Sequence, residues 1–162
     1  MRCNFSDIND VYRILSDDSV FYHIVDDSKK NPESALMLAH NLITTINTYV
    51  LRPRKDSLFI FTPVNHITYE MHVATIDGEA RKHAVEDARK AVAWMLENTK
   101  AYKFIGMVPA CNRRALVFAG MCGLKKEGCI TNTFMKDGVL YDNLVFGIDR
   151  EYIEENGLCR QI

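Results

Sequence analysis

From residue 58 to residue 148 the apolar pattern repeatedly changes period, and that succession limits the chain to a sheet with helices packed on it. Leu58-Phe59-Ile60-Phe61-Thr62 is almost continuously apolar, as expected of a central strand. Pro63-Val64-Asn65 turns the chain into His66–Thr75, which alternates. Ile67, Tyr69, Met71 and Val73 point one way, while His66, Thr68, Glu70 and His72 point the other. From Arg81 to Asn98 the period becomes helical, with Ala84, Ala88, Ala91, Val92, Met95 and Leu96 at spacings of three and four and Glu86 one turn from Lys90. Lys103–Val108 is again a strand, and Asn112–Cys122 an amphipathic helix through Ala115, Leu116, Phe118 and Ala119. Gly123 suits a left-handed helix end. Lys125–Met135 and Leu140–Ile148 form a hairpin about Lys136-Asp137-Gly138, where Asp-Gly is a strong turn signal. The order implies an α/β chain with a mixed sheet, parallel around the strand–helix–strand crossover and antiparallel elsewhere.

The N-terminal third is patterned more weakly. Thr48-Tyr49-Val50-Leu51 reads as a strand and Arg52-Pro53-Arg54-Lys55-Asp56 as a turn. Arg2–Phe5 reads as a short edge strand. Ser6 and Asp7 can cap a helix carrying Ile8, Val11, Tyr12 and Leu15, which Asp17-Asp18-Ser19 interrupts. A polar loop, residues 26–31, leads to a second helix opening at Pro32, with Asn31 as its cap, and running through Leu36, Leu38 and Ala39. Residues 149–162 read as a polar helix or tail. With no internal repeat, low-complexity tract or Gly/Pro/Ser-rich linker, residues 1–162 are expected to form one domain.

Composition excludes several classes. Of the 162 residues, 48% are hydrophobic and 25% charged, which is globular rather than disordered composition. A formal net charge of -1 offers no footprint for nucleic acid or an anionic membrane. No apolar run approaches the roughly 20 residues that span a bilayer, and the N-terminus turns acidic at once, without the core of a signal peptide. The 5 cysteines show no C-x-x-C spacing, so free thiols in a reducing compartment, the cytoplasm, are expected. His66, Glu70 and His72 are metal-ligating types on one strand face, but six residues of strand span about 20 Å, so no metal is expected.

Asn112-Arg113-Arg114-Ala115, followed by Gly123-Leu124-Lys125-Lys126-Glu127-Gly128, resembles the N-x-x-A…L-G-F-x-x-E-G signature of the GNAT superfamily of acyl-CoA N-acyltransferases. Phe134-Met135-Lys136-Asp137-Gly138-Val139-Leu140-Tyr141-Asp142 is similar to the F-x-K-D-G-x-Y-x-D hairpin of the branch that acetylates ribosomal-protein N-termini. The pattern is also similar to small GNAT-like proteins of tailed bacteriophages, whose setting would be the host cytoplasm. The likeness is strongest over 66–149 and implies a GNAT-like mixed, mostly antiparallel sheet flanked by helices on both faces.

It also implies acetyl-CoA as co-substrate, slotted between the strands 66–75 and 103–108. Val73, Ala74 and Thr75 would meet the pantetheine, and the stretch Ala80, Arg81, Lys82, His83, Ala84 the pyrophosphate, with Asn112 and Ala115 on the other side. The family's phosphate loop reads R/Q-x-x-G-x-G/A. Here Glu79 and Lys82 stand where Arg and Gly are expected and only Ala84 agrees; Gly78 could restore the turn in a shifted register, and Arg81 and Lys82 could supply charge by side chain. Ala119 stands where many relatives carry a tyrosine acid.

Glu70 occupies the strand position of the family's general base, with His72 on the same face as relay or alternative base. Tyr141 could line the acceptor cleft or act as an acid. The implied reaction is acetyl transfer to a primary amine, of a small molecule or a protein N-terminus, by direct attack in a ternary complex, with specificity set by the first two helices and the last hairpin. A homodimer is the assembly it allows. The other reading is a binding or assembly protein that keeps the scaffold and has lost the coenzyme loop.

Overall fold

A computed structural model describes residues 1–27 and 32–159. The chain opens with a 3-10 turn, Phe5–Asp7, and the helices α1 (Ile8–Leu15), α2 (Asp18–Ile24) and α3 (Pro32–Thr44). Strands β1 (Tyr49–Arg54), β2 (Ser57–Pro63) and β3 (Thr68–Thr75) follow, then α4 (Glu79–Lys82), α5 (Ala84–Asn98), β4 (Lys103–Pro109) and α6 (Arg113–Met121). The chain closes with β5 (Lys125–Lys136), β6 (Val139–Asp149) and α7 (Arg150–Glu155). One six-stranded sheet has the order β1-β2-β3-β4-β6-β5. Only β3 and β4 run parallel, and every other neighbouring pair is antiparallel. The crossover α4–α5 joins the parallel pair, as a parallel connection must.

Strand alternation sends the two faces into separate cores. Leu51, Phe59, Phe61, Tyr69, Phe104 and Ile148 pack with Ala88, Ala91 and Met95 of α5, Ala119 of α6 and Ile153 of α7. Val50, Leu58, Ile60 and Ala74 pack with Val11, Ile14 and Leu15 of α1, Val20 of α2 and Ala39 of α3. The helices thus cover both faces of the mostly antiparallel sheet, as expected.

Several local expectations change. Arg2–Phe5 is not a strand: it contributes a single bridge, Arg2 to Leu51, before the 3-10 turn. Asp17-Asp18-Ser19 does not merely interrupt a helix, because Asp17 caps α2 by accepting from the Ser19 N–H at 3.0 Å. Asp7 flanks α1 without a side-chain cap bond, and Asn31 lies outside the described residues. The β1–β2 turn tightens to Lys55-Asp56, since β1 runs on through Arg54. His66 precedes β3 rather than belonging to it. The helix expected over 81–98 is two helices, because the His83 N–H bonds back to the Ala80 carbonyl at 3.2 Å and ends α4 with a tight turn.

Gly123 ends α6 with φ +85°, and a Cβ built there would meet Leu158 Cδ1 at 3.0 Å. Both the backbone and the packing of the C-terminal segment therefore oppose a side chain. Gly123→Val is expected to destabilise the chain by about 2 kcal/mol or more, read as a lower urea midpoint; an unchanged midpoint would show that neither constraint operates.

Candidate active site

The sheet splits between β3 and β4. The parallel ladder joins Thr68 to Lys103, Tyr69 to Phe104 and Glu70 to Ile105, and there it stops. Beyond that point β3 is paired with β2 alone, through Thr75 opposite Ser57. β4 is paired with β6 alone, through Pro109 opposite Asn143. Roughly half of the backbone N–H and C=O groups of residues 71–75 and 106–109 therefore face into the gap. Its apex is narrow: a methyl group on Gly106 would lie 3.6 Å from the Met71 carbonyl oxygen. At the far end of β3 the buried side-chain oxygen Thr75 Oγ1 has no hydrogen-bond partner. Such an orphaned group suits an edge that receives a polar ligand.

Glu70 is the last paired residue of β3, at the apex. It shares with His72 the face that further along carries Ala74 into the α1–α3 core. The two side chains meet, His72 Nε2 lying 3.7 Å from Glu70 Oε1, with Glu70 18% exposed and His72 50%. A carboxylate and an imidazole thus stand together beside the split, one sheltered and one reaching solvent. Tyr141 does not join them. Gly147 is the β6 residue level with Ile105, and Tyr141 is six residues farther along that strand, about 20 Å away. Ala119 is buried in the opposite core.

At the mouth of the gap, Gly78 adopts φ 115°, ψ -135° before α4, a conformation essentially reserved for glycine. No heavy atom lies within 4 Å of a Cβ built there, so the constraint is the backbone and the space is open. Ala80 and Ala84 are buried, while the first-turn N–H groups of α4 have no intrahelical partner. The two cations expected to supply charge already have partners. Arg81 pairs with Asp77, and Lys82 Nζ lies 2.8 Å from Glu79 Oε2. His83 lies 3.4 Å from each of Glu79 and Glu86. On the other wall, Asn112 caps α6, its Oδ1 accepting from the Ala115 N–H at 3.1 Å. These two expected coenzyme residues are thus joined to each other, and the Asn112 amide nitrogen is left to point elsewhere.

Comparison with solved structures places this architecture. Spermidine N-acetyltransferase from Vibrio cholerae, solved with CoA and spermine, matches with a TM-score of 0.73 at 13% identity, over 94% of this chain and 95% of that one. A GNAT-family acetyltransferase from Bacillus anthracis matches with a TM-score of 0.69 at 17% identity, over 93% of each chain. The fold is that of the GNAT acetyltransferases. An N-acetyltransferase from Staphylococcus aureus Mu50 gives a TM-score of 0.68 at 12% identity, over 92% of this chain and 95% of that one. No protein-family model matches the sequence, and no curated protein matches it.

This GNAT fold carries features that the periodicity of the chain did not show. The tip of the β5–β6 hairpin is clamped to α2 and the segment after it. Lys136, 8% exposed, donates to the carbonyls of Tyr22 and Val25, the latter at 3.3 Å, with its ammonium 3.6 Å from the Tyr22 ring centroid. The Asp27 carboxylate accepts from the backbone N–H groups of Asp137 at 2.9 Å and Gly138 at 2.8 Å. Tyr22 Oη donates to Asp137 Oδ2 at 2.7 Å. Lower on the hairpin, Asp142 accepts from the Asn132 N–H at 3.0 Å, holding the bulge where Asn132 takes φ 52°. α2 also places His23 at the mouth. Burial first, and then the positive charges of Arg114, Lys136 and Arg81, push its imidazole below the usual histidine range. The sequence signal for α2 was present, since Val20, Phe21, Ile24 and Val25 are helically spaced behind Asp17. Nothing local marks the partners of Lys136, which lie more than 100 residues away.

Among the described residues no helix is long and apolar enough to cross a membrane, and Cys122, 9% exposed, is pushed up to about 12 by burial. That thiol is a packing group and not a nucleophile at neutral pH.

Proposed function

We propose that this protein transfers an acetyl group from acetyl-CoA to a primary amine. The observation that carries the reading is the split that opens immediately beyond Glu70, with one free backbone edge on each wall and a glycine turn at its mouth. The residues present fit an extended amide chain ending in phosphates: alternating backbone donors and acceptors along the walls, the orphaned Thr75 hydroxyl at the far end of β3, and Arg81, Arg114 and His23 around the mouth. Support for the co-substrate also comes from the fold, since a protein of the same fold was solved with CoA and spermine.

When bound, acetyl-CoA supplies a thioester whose carbonyl carbon an amine can attack. The chain supplies the proton handling. An amine arrives mainly as ammonium and attacks only when neutral, so a base must stand beside the apex. Glu70 meets that need, and His72, half exposed at 3.7 Å, offers the way from Glu70 to solvent. The edge of β4 beyond Ile105 provides backbone donors that orient a carbonyl in the gap. Tyr141 lies too far along β6 to act at the apex and lines the acceptor approach instead. That approach is bounded by α1–α2 and the hairpin tip, which the Lys136 and Asp27 contacts tie together. Narrow acceptors, a small-molecule amine or a flexible protein N-terminus, suit it better than a lysine on a folded surface. The hairpin's likeness to the branch that acts on ribosomal-protein N-termini favours the second of these.

Saturating acetyl-CoA is expected to raise the melting temperature, by an amount set by its concentration over Kd; a hundredfold excess over Kd is worth about 2.7 kcal/mol. A melting temperature that does not move would exclude coenzyme binding. The scaffold would then be a binding or assembly protein, with Arg81 and Lys82 held by Asp77 and Glu79.

A further inference from the structure

The mouth of the split is bridged by one carboxylate. Asp77 follows β3, and its backbone N–H donates to Ser19 Oγ at 3.1 Å, which fixes it against α2. One of its carboxylate oxygens pairs with Arg81, one turn on, at the β3 wall. The other lies 3.7 Å from Nη1 of Arg114 on α6, at the β4 wall. A single anion therefore holds a guanidinium from each side of the gap, directly beside the Gly78 turn.

Stability does not explain this arrangement. Asp77 is 49% exposed, Arg81 39% and Arg114 66%, and exposed pairs of this kind contribute little. What the arrangement does is gather cations about an anion at the point where the walls diverge. Guanidinium groups bind phosphate at least as well as carboxylate, and through the same fork of N–H donors.

We propose that Asp77 is a built-in counter-ion at the phosphate end of the split, which sets coenzyme affinity by competing with the diphosphate for Arg81 and Arg114. The inference rests on the acetyl-CoA reading above and adds a specificity-determining residue to it. Asp77 opposes binding in two ways. It occupies the donors that a diphosphate needs, and it places a like charge a few ångströms from the ligand. In return it keeps both arginines gathered at the mouth before the ligand arrives. Ligands with the same pantetheine arm and no phosphate are indifferent to it.

The test measures binding of coenzyme A and of pantetheine to the wild type, Asp77→Asn and Asp77→Ser by calorimetry, at low and high salt. Asparagine keeps the backbone bond to Ser19 and removes only the charge. Removing one like charge at this range is expected to tighten coenzyme A about 3–10-fold at low salt. The gain should shrink toward none near 1 M salt, where the screening length falls to about 3 Å. Pantetheine affinity should not change. If wild type and variants bind coenzyme A equally, or the variants bind it more weakly, Asp77 is not a competitor and the inference is overturned while the acetyl-CoA reading stands. If pantetheine tightens as much as coenzyme A, the effect does not act through phosphate, and the inference is again overturned. If none of the three binds coenzyme A, the acetyl-CoA reading falls and takes this one with it.

Discussion

Glu70→Gln is expected to lower acetyl transfer to a confirmed amine acceptor by about a hundred- to ten-thousand-fold, the usual contribution of a positioned general base. Glutamine preserves the size and hydrogen-bonding reach of the side chain, so the sheet should be undisturbed and acetyl-CoA affinity nearly unchanged. The loss should appear in kcat. The reason is position: Glu70 is the last residue joined to β4, and its carboxylate is sheltered at 18% exposure while His72 at 3.7 Å reaches solvent. His72→Ala should cost less than Glu70→Gln, because solvent at a half-exposed site can replace a relay more easily than a base. If both variants keep full turnover, the polar face of β3 is structural and the proton leaves by another route.

Asp87→Ala is expected to destabilise the fold by about 3 kcal/mol, the lower end of what breaking a buried ion pair costs. Asp87 stands in the first turn of α5 and is fully buried. Arg54 reaches it with both arms of its fork, Nε at 3.0 Å and Nη2 at 3.3 Å, and Ser57 Oγ donates from 3.2 Å. These bonds pin the start of α5 to the turn between β1 and β2. Removing the carboxylate leaves a guanidinium and a hydroxyl with lost partners, and Arg54 is one-third exposed, so water recovers part of the cost. At this chain length the effect is a fall of roughly 6–12 °C in melting temperature. Asp87→Asn should cost less, since it keeps an acceptor and loses only the charge. A change below about 1 kcal/mol for the alanine variant would show that the network is not a strut.

The succession of elements from Leu58 to Ile148 was legible in the residues, because period two and period 3.6 are local properties of a chain that must bury one side of each element. Gly123 and Gly138 were legible too, as a helix end and a hairpin turn that need positive φ, which they have at 85° and 75°. The alternation that put Tyr69, Met71 and Val73 on one side of β3 and Glu70 and His72 on the other holds in three dimensions. Other facts are not properties of any window of sequence. That the β3–β4 ladder ends at Glu70 depends on strands joined by a crossover of more than 25 residues. The partners of Asp87 lie 30 and 33 positions away, and those of Lys136 more than 110. Asp77 reads as one more acid in a polar loop until α6 brings Arg114 across the gap. Periodicity reports which side of an element is buried; which charge meets which, and where two strands part, is decided by long-range packing, and there the candidate chemistry of this protein lies.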